Sequence, residues 1–269
     1  MSSASYSLHG PVAVITLDNP PVNGLGLALR QAIVAGDDAA ASDPAVQAVV
    51  LIGNERFFSG GADVREFGTP KAMQEPTLLT VIRTIERSPK PVIAAVSGVC
   101  MGGGLELALG CHFRIAHTEA TVALPEVKLG LLPGAGGTQR LPRLIGIQKS
   151  FELITQGTEL SAAKAKGLGI VNDLAASREE LLQKAHEWCL ANPKPVQPWD
   201  AKGFRIPGGD SKSPAVVQKL AIAPSMANAK AHGNYPAITH IMSCLFEGCL
   251  LDIDNALQVE SRYFAACIV

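Results

Sequence analysis

Residues 91–111 carry one charge, Glu106, in a run that is otherwise apolar and broken by glycine: Pro91-Val92-Ile93-Ala94-Ala95-Val96-Ser97-Gly98-Val99-Cys100-Met101-Gly102-Gly103-Gly104-Leu105-Glu106-Leu107-Ala108-Leu109-Gly110-Cys111. A run of this length approaches a bilayer span. Its content argues against one, because Gly98, the glycine triplet and Glu106 interrupt any apolar helix. A strand over 92–96, a glycine turn and a buried helix from about Leu105 explain the same apolarity. A continuously apolar strand followed by a buried helix is the signature of an α/β fold.

The same rhythm recurs along the chain. Val12 to Leu17 predicts a strand ending at the turn Asp18-Asn19-Pro20-Pro21, Leu25 to about Ala41 a helix, and Ala45 to Ile52 a second strand, apolar but for Gln47. Ala120–Ala123 predicts a short strand and Thr138–Ile145 a helix with a proline inside. Ser161–Lys166 predicts a helix leading to a strand at Ile170-Val171-Asn172. Past Asn192 the texture changes to Pro193, Pro195, Pro198, Pro207, Gly208 and Gly209, a linker-like stretch, and helical patterns run from Pro214 to the end. The expected organisation is a core over 1–192 and a linker with a C-terminal helical region over 193–269.

Composition narrows the function. Hydrophobic residues make up 47% and charged residues 17%, with Lys+Arg 23 against Asp+Glu 24, so no strong field is available to hold nucleic acid. A single small anion needs only a local cation or helix N-terminus and stays open. The six cysteines show no CxxC pair and no metal-ligand spacing with histidine, pointing to a reducing compartment with unpaired thiols and no metal site. The opening Met1-Ser2-Ser3-Ala4-Ser5 lacks a basic stretch followed by an apolar core. The expectation is a cytoplasmic protein off the membrane.

Three segments carry chemistry. Phe57-Phe58-Ser59-Gly60-Gly61-Ala62-Asp63-Val64 follows a strand and offers backbone N–H groups with little side chain in the way. Alone it reads first as a tight turn. Ser97 to Glu106 places three glycines at the start of a buried helix, where unpaired N–H groups and the dipole favour negative charge. One donor near Ala62 and one near Gly103 would together hold an oxyanion. Glu106, alone among leucines and alanine, is costly to bury unless hydrogen-bonded, neutralised or used, and Arg114 is its structural alternative partner. Ala123 to Arg140 brings a second glutamate, Glu126, in apolar surroundings, with a glycine-rich turn into a helix. Two such carboxylates suit acid/base work, one accepting a proton from water while the other donates. Rival signatures are missing: the sequence has no GxGxxG after a strand, no GxxxxGK[ST], no HExxH and no GxSxG. His112 and His117 suit a helix end or the surface and receive no role.

In this order, FFSGGADV, GGGLELALGC and PEVKLGLLPGAGGTQRL resemble the ligand loop, second oxyanion loop and catalytic loop of the crotonase superfamily, with the match running through most of the first 175 residues. The resemblance implies a crotonase-like ββα spiral with a C-terminal helical region. It also implies an acyl-CoA thioester substrate, coenzyme A entering as part of that substrate, and no further cofactor. Carried over residue by residue, it makes the Ala62 and Gly103 N–H groups the oxyanion hole and Glu106 and Glu126 the catalytic carboxylates. Gly60, Gly61, Asp63, Val64, Arg65, Gly102, Pro125 and Gly134 become substrate-contacting positions, with Arg65 the candidate for a coenzyme A phosphate and Gly134 a backbone contact near the water.

With both glutamate positions filled, the implied reaction is addition of water across C2=C3 of a trans-2-enoyl-CoA in fatty-acid β-oxidation. The alternatives are a Δ3-Δ2-enoyl-CoA isomerase, alone or in addition, and a catalytically silent acyl-CoA-binding domain. Asn19-Pro20-Pro21-Val22-Asn23 and Trp199-Asp200-Ala201-Lys202-Gly203-Phe204-Arg205-Ile206-Pro207-Gly208-Gly209 are similar to bifunctional fatty-acid oxidation proteins. In those a 3-hydroxyacyl-CoA dehydrogenase follows, so the expected partners are that missing domain or further copies of this chain in a homotrimer. The acyl pocket walls are expected from loops such as Phe67 to Pro76.

Overall fold

The computed structural model describes residues 4–54, 56–218 and 236–268. In chain order the strands are β1 (Ala4–His9), β2 (Val12–Leu17), β3 (Ala48–Ile52), β4 (Phe57–Ser59), β5 (Val92–Val96), β6 (Val99–Met101), β7 (Phe113–His117), β8 (Thr121–Ala123), β9 (Leu160–Ser161) and β10 (Asp173–Ala175). The helices are α1 (Leu27–Ser42), α2 (Leu78–Glu86), α3 (Gly103–Gly110), α4 (Gly137–Ile145), α5 (Ile147–Gln156), α6 (Ala162–Leu168), α7 (Arg178–Ala191), α8 (Pro236–Gly248) and α9 (Ile253–Ile268). Two compact units result, one from residues 1–122 and 160–197 and the other from 123–159 and 198–269.

In the first unit, a six-stranded sheet runs β1-β2-β3-β5-β7-β10 and a four-stranded sheet runs β4-β6-β8-β9. Only the β1–β2 hairpin is antiparallel in the larger sheet; β2, β3, β5, β7 and β10 pair in parallel. The chain alternates between the sheets: β3, β5 and β7 lie in the larger, and β4, β6 and β8, which follow them, lie in the smaller. Each pair is followed by helical structure, which is the expected ββα spiral of an α/β fold.

Burial is continuous along the central parallel strands β3 and β5, as a sheet covered on both faces requires. Val12, Val14, Ala48, Val50, Ile52, Ile93, Ala95 and Ile115 form one buried cluster with Leu181, Ala185 and Cys189 of α7. At its edge the rings of Phe113 and Trp188 stack with centroids 4.4 Å apart. Side-chain caps fix helix starts: Thr77 accepts from the Thr80 N–H at α2, and Ser177 from the Glu180 N–H at α7.

Sequence and structure differ where turns compete with strands. The strand expected from Ala45 begins at Ala48, because the Asp43 carboxylate and carbonyl accept the Ala45 and Val46 N–H groups and hold a turn. The strand expected at Ile170–Asn172 forms instead at Asp173–Ala175. Gly169 closes α6 at a φ of 90°, and the Ile170 and Val171 N–H groups turn back to the Ala165 carbonyl.

In the second unit, α4, α5, α8 and α9 pack around Leu141, Ile145, Phe151, Ile154, Ile241, Leu245 and Leu257, all buried. The buried Arg143 of α4 donates to the carbonyls of Gly248 and Leu251 at 3.1 and 2.8 Å, satisfying the C-terminal end of α8. Residues 214–218 are helical; part of the helical pattern expected from Pro214 onward lies outside the described residues. No helix among the described residues is long and apolar enough to cross a membrane.

Candidate active site

The second strand of each spiral turn delivers one of the three segments: β4 leads into Gly60-Gly61-Ala62, β6 into Gly102-Gly103-Gly104, and β8 into Pro125-Glu126. The first two lie in the same unit and meet. Gly61, at φ 105°, and Gly102, at φ 54° and ψ −129°, adopt backbone conformations that an L side chain rarely takes. A Cβ on Gly61 would lie 3.0 Å from the Met101 carbonyl and 3.3 Å from the Gly103 nitrogen. A Cβ on Gly103 would lie 3.4 Å from the Ala62 nitrogen and 2.6 Å from Leu78 Cδ2. The Ala62 and Gly103 amides are therefore neighbours, and only bare backbone permits the approach.

Gly103 is the first residue of α3, so its N–H has no acceptor within the helix. Among the described residues, neither it nor the Ala62 N–H donates to a backbone carbonyl. Glu106 stands in the first turn of the same helix, 3% exposed and flanked by buried Leu105 and Leu107. A carboxylate there is favoured by the helix dipole. Arg114, its structural alternative partner, directs its guanidinium elsewhere, to the carbonyls of Ile170 and Cys111 at 2.8 and 2.9 Å.

A buried polar network braces the first loop. Asn23, 0% exposed, donates from Nδ2 to the carbonyls of Leu17 and Phe57 at 3.1 and 3.0 Å, while its Oδ1 accepts from the Asn19 N–H at 3.0 Å. The Ser59 hydroxyl donates to the Asn23 carbonyl at 2.7 Å and accepts from the Gly61 N–H at 3.1 Å. Gly60 N–H donates to Val22 O, and Leu25 N–H to Gly61 O. Sequence reasoning missed this role: Asn19-Pro20-Pro21-Val22-Asn23 stood out there only as a family likeness.

Beyond Ala62 the chain turns outward. Asp63 caps a 3₁₀ turn over Val64–Glu66 by accepting from the Arg65 N–H, and it also pairs with the Arg65 guanidinium at 2.6 Å. Those contacts, the side-chain bond from Arg65 foremost, hold the Asp63 carboxyl below the usual range. Arg65 further donates to Asn19 Oδ1 at 3.3 Å. Val64, Phe67 and Met73 are exposed along this loop.

In the second unit, Pro125 precedes a 3₁₀ turn over Glu126–Leu129, and Glu126 is half-buried at its start. Gly134 lies against the Phe264 ring of α9, where a Cβ would come within 2.5 Å of Cδ2. The loop that follows is held by Glu260 of α9, whose carboxylate accepts from the Gly136 N–H at 2.5 Å, the Thr138 N–H at 2.9 Å and the Thr138 hydroxyl. Sequence reasoning gave neither α9 residue a role at this loop.

Other reactive side chains are structural. Burial pushes the His112 imidazole down to about 4, and its Nδ1 accepts from the Val92 N–H. All six cysteines are free, five of them buried. Among the described residues no group of three or more His, Cys, Asp or Glu is placed to hold a metal ion.

Residues 8–194 match the family model described as enoyl-CoA hydratase/isomerase. A peroxisomal bifunctional enzyme of Danio rerio is 55% identical over 163 residues, covering 61% of this chain and 22% of its own length. A probable enoyl-CoA hydratase of Bacillus subtilis (strain 168) is 41% identical over 190 residues, covering 69% of this chain and 74% of that protein. The crystal structure of an enoyl-CoA hydratase from Bacillus anthracis superposes over 99% of this chain and 91% of its own, with a TM-score of 0.65 at 29% identity. The chain thus spans about a quarter of the length of the bifunctional relatives it matches, 24% for the human enzyme. Matched by the family model over 187 residues, from 8 to 194, and by a hydratase relative over most of that relative's length, this chain belongs to the enoyl-CoA hydratase/isomerase family.

Proposed function

We propose that this chain hydrates trans-2-enoyl-CoA thioesters as a step of fatty-acid β-oxidation. The observation that carries the reading is the pair of neighbouring amides, Ala62 and Gly103, presented one helical turn from the buried Glu106. In the proposed reaction the thioester carbonyl accepts from both N–H groups, which draws electron density from C3 and stabilises the enolate oxygen as water attacks. Glu106 takes a proton from the water as its oxygen bonds to C3, Glu126 gives a proton to C2, and one proton passing from Glu106 to Glu126 by way of water restores both. Water is consumed whole, and no redox partner or metal is invoked. Gly60, Gly61, Asp63, Val64, Gly102, Pro125 and Gly134 are the proposed substrate contacts, and Arg65 is the proposed phosphate contact. The proposed partner is a 3-hydroxyacyl-CoA dehydrogenase domain, supported by the bifunctional names of several relatives. The proposed compartment is the cytoplasm, supported by the free thiols.

Loss of the conjugated enoyl-thioester absorbance on adding the protein to crotonyl-CoA tests the reading directly. Glu106→Gln and Glu126→Gln are each expected to lower kcat by about 10²–10⁴-fold, the range of general acid–base catalysis. Undiminished hydration in either variant would overturn the two-carboxylate mechanism. A Glu106→Gln variant that still moves a double bond from C3 to C2 would show isomerase chemistry resting on Glu126.

A further inference from the structure

The segment between the two oxyanion loops is organised from behind by one buried arginine. Arg30, on the first turn of α1, is 2% exposed. Its Nη2 donates to the Lys71 carbonyl at 2.6 Å and faces Glu66 Oε2 at 3.4 Å, and its Nη1 donates to the carbonyls of Pro76 and Gln74 at 2.9 and 3.3 Å. Glu66 in turn accepts the Leu27 N–H with both oxygens at 3.0 Å, fixing the clamp to the start of α1. A planar guanidinium with five donors can hold four points of one loop at once; an ammonium cannot.

What the clamp holds is the Phe67–Pro76 loop, the expected wall of the acyl pocket. The segment starts one residue after Ala62 and ends at Leu78, the first residue of α2, whose Cδ2 sits where a Gly103 Cβ would stand. Both ends thus abut an oxyanion donor, and the stretch between them exposes Val64, Phe67 and Met73, at 67%, 51% and 80%. Three large apolar side chains standing in water on one short segment form an apolar surface open to a ligand.

We propose that Arg30 is a positioning residue for substrate specificity: by pinning residues 66–76 it sets Phe67 and Met73 as the surface against which the tail of a long acyl chain lies. The inference rests on the hydratase reading and adds chain-length preference to it. A short acyl group reaches only the amides and carboxylates and is indifferent to the clamp.

Arg30→Lys keeps the charge facing Glu66 but cannot reach Lys71, Gln74 and Pro76 together, and Arg30→Met removes every donor. Steady-state kinetics with crotonyl-CoA and trans-2-hexadecenoyl-CoA are compared in both variants, with hydrogen exchange read over residues 66–77. In Arg30→Lys the KM for the long substrate is expected to rise about tenfold, the worth of one or two methylene contacts, while kcat for crotonyl-CoA changes less than about threefold. The amides of residues 71–75 exchange faster in the same variant. Parallel loss on both substrates, or unchanged KM for the long one, overturns the specificity role. Inactivity of the unsubstituted protein on both substrates overturns the hydratase reading instead, and unchanged exchange at 71–75 then overturns the clamp as well. Should Arg30→Met fail to fold, the lysine variant decides alone.

Discussion

Asn23 is wholly buried at a φ of 51°, a conformation asparagine tolerates better than most side chains, and each end of its amide is committed. Asn23→Ala would leave the Leu17 and Phe57 carbonyls and the Asn19 N–H without their partner and place a Cβ-only side chain at positive φ. The expected loss is about 2–4 kcal/mol from those terms, read by chemical denaturation. Asn23→Asp turns the donor into an acceptor facing two carbonyls and is expected to cost at least as much at neutral pH. Because Ser59 and the Gly60–Ala62 turn hang on the same residue, kcat/KM on crotonyl-CoA is expected to fall about 10²-fold in either variant, comparable to losing one oxyanion donor. Full activity with lowered stability would show that the loop does not depend on Asn23. The candidate glycines and Glu106 stood out in the sequence because their strangeness is local: bare backbone, or one charge among leucines. Asn23 did not, because its bonds reach residues up to 36 positions away and an Asn near a Pro-Pro turn looks ordinary.

The regular elements followed the same logic. β2 and β5 run as expected, since a strand almost wholly apolar and bounded by turn residues allows few other readings. β4 and β6 were hidden inside segments read as glycine loops, being only three residues each and stabilised by pairing with each other rather than by periodicity. α9 shows the reverse case, a helix expected from pattern whose purpose was invisible. Its Glu260 binds residues 122 and 124 positions away, placing a carboxylate at the N-terminus of α4, where the first N–H groups and the dipole favour it. Glu260→Gln keeps the shape but presents an NH2 to at least one of three donors. The expected loss is roughly 1–3 kcal/mol, the range for an unsatisfied buried donor. If the 134–138 turn orders the attacking water, kcat on crotonyl-CoA falls while KM stays within about threefold, a split expected when the lost interaction acts mainly in the transition state. Equal changes in both constants would assign Glu260 to substrate binding instead.

At the scale of the whole molecule, stability against pH is set by buried groups that the sequence could only count. Burial lifts the Asp37 carboxyl from 3.8 to about 6, while the same effect lowers His112 from 6.5 to about 4. The signs oppose. For Asp37 the raised folded value means the unfolded chain ionises first, so stability falls as pH rises from about 4 to about 6 and then levels. For His112 the depressed folded value means the unfolded chain protonates first, so stability falls as pH drops from about 6.5 to about 4. Each contribution is of order 2–3 kcal/mol at most, from shifts of about two units, and over their shared window they nearly cancel. Neither group is part of the proposed chemistry, so the compensation belongs to the fold. Asp37→Asn, which keeps an acceptor for the Ser88 hydroxyl now 2.9 Å away, is expected to raise the unfolding free energy at pH 7 and to give no gain at pH 4. In that variant stability climbs with pH across the window, His112 acting alone. His112→Asn, which retains an acceptor for the Val92 N–H, is expected to tilt the profile the other way. Urea unfolding at pH 4, 5, 6 and 7 for the three proteins reads the slopes. Parallel profiles in all three would mean that neither group titrates differently on folding, and that burial at these two positions is relieved by water.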